Sequence, residues 1–336
     1  MLVLSGCSSQ VAKTEFFRDS SLTTVWPQLP EQPRIKLLKV YNGPEEFTAP
    51  KSRFKTLFEA ITGEQLQPVG LMTPAGVVSD GERYIYIADP SARLVHKIDI
   101  VDNEATYLTY AGMEPLASPV GVALDSDGNC YVTDSIKAKV YKFNSKGVYV
   151  GILGGGVTEF QRPAGIAIGR NDYKYVADVL TNKITVFDEK DRYLMEFPDS
   201  AEAKELNKPV NIAVDTKGNL YVTDAFNFTV KVFDNKGKLV RTIGSVGDGP
   251  GSFARPKGVA LDSDAHIYII DANFDNFQIF NQSGQLLLYV GNTGKKPGQF
   301  FMPNGIFIDR DDRIYVSDSY NQRIQIFQYL KDTRQN

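Results

Sequence analysis

The sequence predicts an all-β chain, a six-bladed β-propeller of four-stranded antiparallel blades closed by an N-terminal outer strand. Three observations predict it. First, a four-residue phrase recurs six times: Tyr86-Ile87-Ala88-Asp89, Tyr131-Val132-Thr133-Asp134, Tyr175-Val176-Ala177-Asp178, Tyr221-Val222-Thr223-Asp224, Tyr268-Ile269-Ile270-Asp271 and Tyr315-Val316-Ser317-Asp318. Its Asp residues are 45, 44, 46, 47 and 47 apart, and a Pro (74, 119, 163, 209, 256, 303) stands fifteen residues before each. A fixed offset inside a near-constant period marks one structural unit repeated. Second, each period holds short runs of alternating apolar and polar residues, the signature of half-buried strands. Third, turn pairs such as Asp127-Gly128, Lys146-Gly147, Lys217-Gly218, Lys236-Gly237 and Ser283-Gly284 separate the runs. Four-stranded units of this period pack radially into a propeller, because a single unit cannot bury its own faces.

In chain order, residues 1–34 precede the repeats. Leu4-Ser5-Gly6-Cys7 ends an apolar start and is followed by Ser8-Ser9. This resembles a bacterial lipobox, in which the Cys thiol is acylated after cleavage before it. The six residues ahead of Cys7 lack the basic segment of a full signal, so residues 1–7 read as a signal remnant carrying the lipidated Cys7. Two or more acyl chains give stable anchoring where one gives marginal binding. Ser8 resembles the outer-membrane sorting pattern of Gram-negative lipoproteins. Residues 8–34 then read as a tether ending in Pro27, Pro30 and Pro33.

Residues 35–330 carry the propeller, with 331–336 as a tail. In each unit the first strand follows the Pro, as in Val120 to Asp125. The repeated phrase is the second strand, Val140-Tyr141-Lys142-Phe143 typifies the third and Leu239 to Ile243 the fourth. Pro opens the innermost strand, where a missing N–H costs least. Two residues later stands Gly76, Gly121, Gly165, Gly258 or Gly305, suited to a crowded axis; the fourth unit has Asn211 instead. Leu71, Leu116, Phe160, Leu206, Phe253 and Phe300, three residues before each Pro, are expected to plug between blades. The sixth unit lacks a fourth strand after Phe327, and Ile35 to Tyr41 has the pattern to supply it. Two insertions are expected on one face. One is a short helix over Phe54, Leu57, Phe58 and Ile61, packing near the mouth of the axial channel; the other is a polar helix over Ser200 to Leu206.

Composition narrows the function. The net charge is −3, from 37 basic and 40 acidic residues with no basic stripe, so no nucleic acid is expected as partner. No apolar run of about 18 residues exists, so a lipid anchor is the only expected link to a membrane. Cys130 sits at a strand position held elsewhere by residues such as Ile85 and Leu220, and reads as a buried free thiol.

The patterns Pro-x-Gly-[Ile/Val]-Ala, Gly-Asn-x-Tyr-Val-x-Asp and Asn-x-Arg-Ile-x-Ile-Phe, seen from Pro119 to Asp134, Pro209 to Asp224 and Asp318 to Phe327, resemble the NHL repeat. The likeness spans about residues 70–330 and implies a six-bladed NHL propeller. Kelch and WD-type propellers fit less well, since the single Trp, Trp26, lies outside the repeats. Relatives implied by the resemblance include lyases that use several His residues. This chain has two, His96 in a third strand and His266 in a first-to-second-strand turn, too far apart to share a metal and expected at surface or interblade positions. Gluconolactonase-type propellers hold a divalent ion with Glu, Asn and Asp at the axis; Asn211 and Asn304 have no acidic companion here. No resident cofactor is expected, although the axis leaves room for a divalent ion such as calcium. No metal-ligand set and no catalytic residue is identified.

The six Asp residues read as turn caps, because a role repeated in every blade is architectural. Asp125-Ser126-Asp127-Gly128-Asn129 reads as a hairpin turn, since the twelfth position of a calcium loop would be Ile136. What breaks the repeat is a set of candidate binding residues on the face of the second-to-third-strand loops: Asn211, Phe226, Phe228, Lys257, Asn273, Phe274, Asn304 and Tyr320. The equivalent loops of blades one to three are read as polar, with Ser91, Lys137 and Thr181. The expected function is a monomeric, lipid-anchored binding scaffold on the periplasmic or extracellular side of the envelope, whose partner is an envelope protein or a small ligand. The alternative is a divalent-metal-dependent lyase or lactonase at the mouth of the axial channel.

Overall fold

A computed structural model of the chain describes residues 13–331 apart from residue 14, residues 48–67, residue 157 and residues 199–205. Six antiparallel sheets surround one axis. Blade 1 runs Val77–Ser79, Tyr84–Asp89, Leu94–Asp99 and Glu104–Leu108. Blade 2 runs Pro119–Leu124, Cys130–Asp134, Lys139–Phe143 and Tyr149–Ile152. Blade 3 runs Pro163–Ile168, Lys174–Asp178, Lys183–Phe187 and Tyr193–Phe197. Blades 4 and 5 repeat the order from Pro209–Val214 to Leu239–Ile243 and from Pro256–Leu261 to Leu286–Val290. Blade 6 takes Ile306–Ile308, Arg313–Asp318 and Arg323–Tyr329 from the far end of the chain and Ile35–Tyr41 from the near end. The closing strand pairs antiparallel with the third strand, with Leu37 opposite Phe327 and Tyr41 opposite Ile324. Closure therefore falls on the residues that their alternation singled out.

The repeated phrase forms a strand buried on both faces in every blade. Its two polar ends secure the two rims of the disc. The Tyr hydroxyls of Tyr131, Tyr268 and Tyr315 donate to Asp125, Asp262 and Asp309 across the first-to-second-strand turn, at 3.2, 2.9 and 2.9 Å. Asp125 is otherwise occupied by Asp127 N–H, Asn129 N–H and the Asn129 amide, a hairpin cap. At the other rim Asp134 accepts from Ala117, Ser118, Ile136 and Lys137 N–H. Asp178 and Asp271 accept four equivalent bonds each. Each carboxylate thus ties the incoming connector of its blade to the following turn. Blades 4 and 6 substitute side-chain donors: Asn227 and Lys231 reach Asp224, while Asn321, Arg323 and Gln325 reach Asp318.

The predicted plugs Leu71, Leu116, Phe160, Leu206, Phe253 and Phe300 are all buried. Phe300 packs with Phe277 of blade 5 and Phe327 of blade 6, filling the wedge between them. At the axis, a Cβ on Gly121 would stand 2.3 Å from the Ala164 carbonyl oxygen of the next blade, and one on Gly76 2.6 Å from that of Val120. Glycine is required there because neighbouring inner strands meet backbone to backbone. Cys130 is a free, fully buried thiol among Val78, Tyr86 and Tyr141, and burial pushes its pKa up.

Part of the 8–34 stretch read as a tether is built into the ring. Val25–Trp26 adds a fifth strand to blade 6, outside Ile35–Tyr41. Phe16 and Phe17 are buried in the seam between blades 6 and 1, against Tyr41, Ile85, Ile98 and Tyr315. Arg313 lies over the Phe17 ring at 4.4 Å. Covalent continuity is missing inside blade 6, between Arg323–Tyr329 and Ile35–Tyr41, and the rings pack on residues of both strands, Tyr41 and Ile324 among them, so this apolar contact reinforces closure. The double substitution Phe16→Ala/Phe17→Ala is expected to lower Tm by about 12 °C or more, since truncating a buried Phe costs about 3–5 kcal/mol and a large domain loses about 2–4 °C per kcal/mol; calorimetry on the purified protein measures it. Cys7, the Phe54 helix and the body of the Ser200 helix lie outside the described residues.

Candidate functional site

Chain direction sorts the loops onto two faces. The second-to-third-strand turns and the connectors into each Pro lie on one face, called here the loop face. The first-to-second and third-to-fourth-strand hairpins lie on the other. Along the axis the inner strands enclose a cavity of about 710 Å³, which reaches the hairpin-face turns at Asp80 and at Asp125 to Gly128. Toward the loop face it narrows to a neck of about 30 Å³ at the glycine ring.

The neck brings together three of the eight residues singled out in the sequence. Asn211, Lys257 and Asn304 line it with the glycines and with Ala75, Val120, Ala164 and Val210. The reason is positional. The residue after each Pro faces the mouth, and five positions are Ala75, Val120, Ala164, Val210 and Asn304, while blade 5 places an ammonium there. Asn211 stands in the glycine ring, and its Oδ1 accepts from Val259 N–H of blade 5 at 3.4 Å, so a side chain separates inner strands that elsewhere touch. Burial holds the Lys257 pKa below its ordinary value, and the nearby charges of Arg255 and Arg162 push the same way.

Those two arginines escaped the sequence reading. With Lys208 they occupy one repeat position, the residue before the Pro, in blades 3, 4 and 5; blades 1, 2 and 6 carry Thr73, Ser118 and Met302. The signal was present at that fixed offset. Arg162 and Arg255 are exposed and Lys208 is half-buried.

Around this centre the turns project apolar side chains. The fourth residue after each repeated Asp has φ between 51° and 58° in all six blades (Arg93, Ala138, Asn182, Phe228, Asp275, Gln322), so the turns superimpose position by position. The second residue is then Ser91, Ile136, Leu180, Phe226, Asn273 or Tyr320. Phe226 and Tyr320 are each 63% exposed, Ile136 72% and Leu180 47%. The apolar arc is therefore wider than expected from Lys137 and Thr181, which stand one position after the exposed site of their turns. Tyr320 stacks edge-on against Phe301, itself exposed. Asn273 is exposed and Phe274 half-buried. Phe228 differs: it packs against the cluster of Val230, Phe253 and Val259 between blades 4 and 5, so it belongs to the core rather than to the surface arc.

His96 is fully buried in the third strand of blade 1, with Nε2 3.6 Å from Asp89 and its ring edge-on to Tyr107. Of the two expected positions, surface or interblade, this burial excludes the surface. His266 lies in the blade 5 hairpin turn, and its hydrogen bond to Asp262 raises its pKa. Among the described residues, no three His, Cys, Asp or Glu side chains are grouped to hold a metal ion, and no helix is long and apolar enough to cross a membrane.

Fold and face together define a six-bladed β-propeller whose loop face carries a basic mouth inside an apolar arc. Residues 198–277 and 261–333 match the DUF5128 family model, described as a 6-bladed beta-propeller. No curated protein matches the chain. Among solved structures, a protein of unknown function from Bacteroides thetaiotaomicron is similar, with 16% identity and a TM-score of 0.61 over 79% of this chain and 71% of that one. An auxiliary nutrient binding protein from the same organism gives 14% identity and a TM-score of 0.61 over 78% and 70%. Virginiamycin B lyase from Staphylococcus aureus gives 16% and 0.56 over 88% and 100%. At these identities the likeness extends to the fold.

Proposed function

We propose that the chain is an NHL-type propeller anchored through an acylated Cys7, a monomer in the cell envelope whose loop face is a binding platform for a protein or small ligand. The observation that carries this reading is the placement of exposed Phe226 and Tyr320 on the face where Asn211, Lys257 and Asn304 line the axial neck. Exposed aromatic residues beside polar groups compose recognition surfaces. The similarity to an auxiliary nutrient binding protein supports a binding role of the same kind. A divalent-metal lyase at the neck is disfavoured by charge, since a metal ion there would face the Lys257 ammonium.

The substitutions Phe226→Ala, Phe274→Ala and Tyr320→Ala together are expected to abolish capture of the partner, leaving Tm within a few degrees of wild type. Crosslinking in cells with mass spectrometry, wild type against the triple variant, checks it. Equal recovery of the same partner by both would remove this face from the binding reading.

A further inference from the structure

Several cations elsewhere on the loop-face strands are neutralised locally. Lys137 and Lys139 pair with Glu114, Lys183 with Glu196 and Lys231 with Asp224. Arg162, Lys208, Arg255 and Lys257 are different. Among the described residues, none of these four side chains has a carboxylate within ion-pair distance, although the chain as a whole is acidic. The repeated carboxylates nearby, Asp178 and Asp271, are buried and filled by backbone N–H donors. Without a described counter-charge, Arg162 and Arg255 repel Lys257, and a neck with low-dielectric walls focuses the field of these cations. Folding gains nothing from this arrangement. An anion placed at the mouth gains charge-assisted hydrogen bonds from several of them.

The geometry points to an anion site at the loop-face mouth of the axial channel, in which Lys257 holds the carboxylate or phosphate group of a small organic ligand. Arg162, Lys208 and Arg255 draw it in from the rim, and Asn211 and Asn304 offer amide donors from the neck. The inference rests on the binding-platform reading and names the chemistry of what the platform takes. The depressed pKa of Lys257 fits a desolvated ammonium that awaits an anionic partner.

The test titrates purified protein with sodium succinate, inorganic phosphate and uncharged succinamide, by calorimetry at constant ionic strength. Saturable binding of succinate or phosphate, with none of succinamide, is expected; whichever anion binds more tightly identifies the head group. Lys257→Met is expected to weaken that binding about tenfold or more, the loss of one charged hydrogen bond. Arg162→Gln/Arg255→Gln is expected to weaken it and to flatten its dependence on salt. Lys257→Met should melt at or above the wild-type temperature, since it removes a repelled, desolvated charge. Absence of saturable anion binding, equal affinity in Lys257→Met, or binding of succinamide equal to succinate would each overturn the site. The aromatic residues are intact in these variants, so partner capture that survives a failed titration sinks the anion site and leaves the platform standing.

Discussion

Removing residues 35–41 is expected to leave a chain that does not fold cooperatively at 37 °C. The strand supplies the fourth position of blade 6 and pairs with Arg323–Tyr329 along its whole length. It buries Ile35, Leu37 and Tyr41, at 0%, 0% and 2% exposure. Losing three such side chains costs about 2–5 kcal/mol each, against a net stability of about 5–15 kcal/mol for a typical domain. The loss does not stay local. Leu37 and Ile35 share a cluster with Tyr268 and Phe277 of blade 5, while Tyr41 shares one with Ile85 and Ile98 of blade 1. Opening blade 6 therefore exposes both of its neighbours and restores two free edges to the ring. Circular dichroism melting should show a broad, low or absent transition. A sharp transition at the wild-type temperature would show that the ring holds without its closing strand.

Gly305→Ala is expected to cost about 3 kcal/mol or more, the upper end of what overpacking costs. A Cβ on Gly305 would sit 2.1 Å from the Ala75 carbonyl oxygen and 3.3 Å from the Gly76 Cα of blade 1. Those are backbone atoms of a paired strand, so they cannot rotate aside as a side chain would. Relief requires blades 6 and 1 to part at the axis. Gly151→Ala is the matched control: nothing lies within 4 Å of its Cβ position, on the outer strand of blade 2. That variant should melt within a degree or two of wild type or slightly above it, because Ala is the better strand residue. Similar Tm values for the two variants would refute the crowded-axis account of the glycine ring.

Much of the architecture was legible because it repeats. The Tyr and the Asp of each phrase lie one strand apart, so one caps the hairpin rim and the other the loop rim. Six agreeing copies turn that local chemistry into a ruler for every blade. The same ruler identified Ile35 to Tyr41, since a blade short of one strand at the C-terminus must find it elsewhere. Phe16 and Phe17 were not legible. Their partners Tyr41 and Tyr315 lie up to about 300 residues away, and no period marks a segment that occurs once. Phe228 was misplaced for a related reason: exposure of a turn residue depends on its position within the turn. One step along the chain separates a side chain pointing to solvent from one folded into the interblade core.

Spacing and composition alone decide the blade count, the strand order, the capping role of the six Asp residues and the glycine axis. These follow from backbone geometry that every copy must satisfy, and they can be read locally. Tertiary structure alone decides what meets at the mouth. Arg162, Lys208, Arg255 and Lys257 lie up to 95 residues apart in the chain and share one face only because radial packing turns the positions flanking the Pro in successive repeats into adjacent positions around a ring. Their lack of counter-charge among the described residues is likewise a property of the assembled ring, in which the repeated carboxylates Asp178 and Asp271 are taken up by capping. Repetition specifies the scaffold, and departures from repetition acquire meaning only when closure brings them to one place.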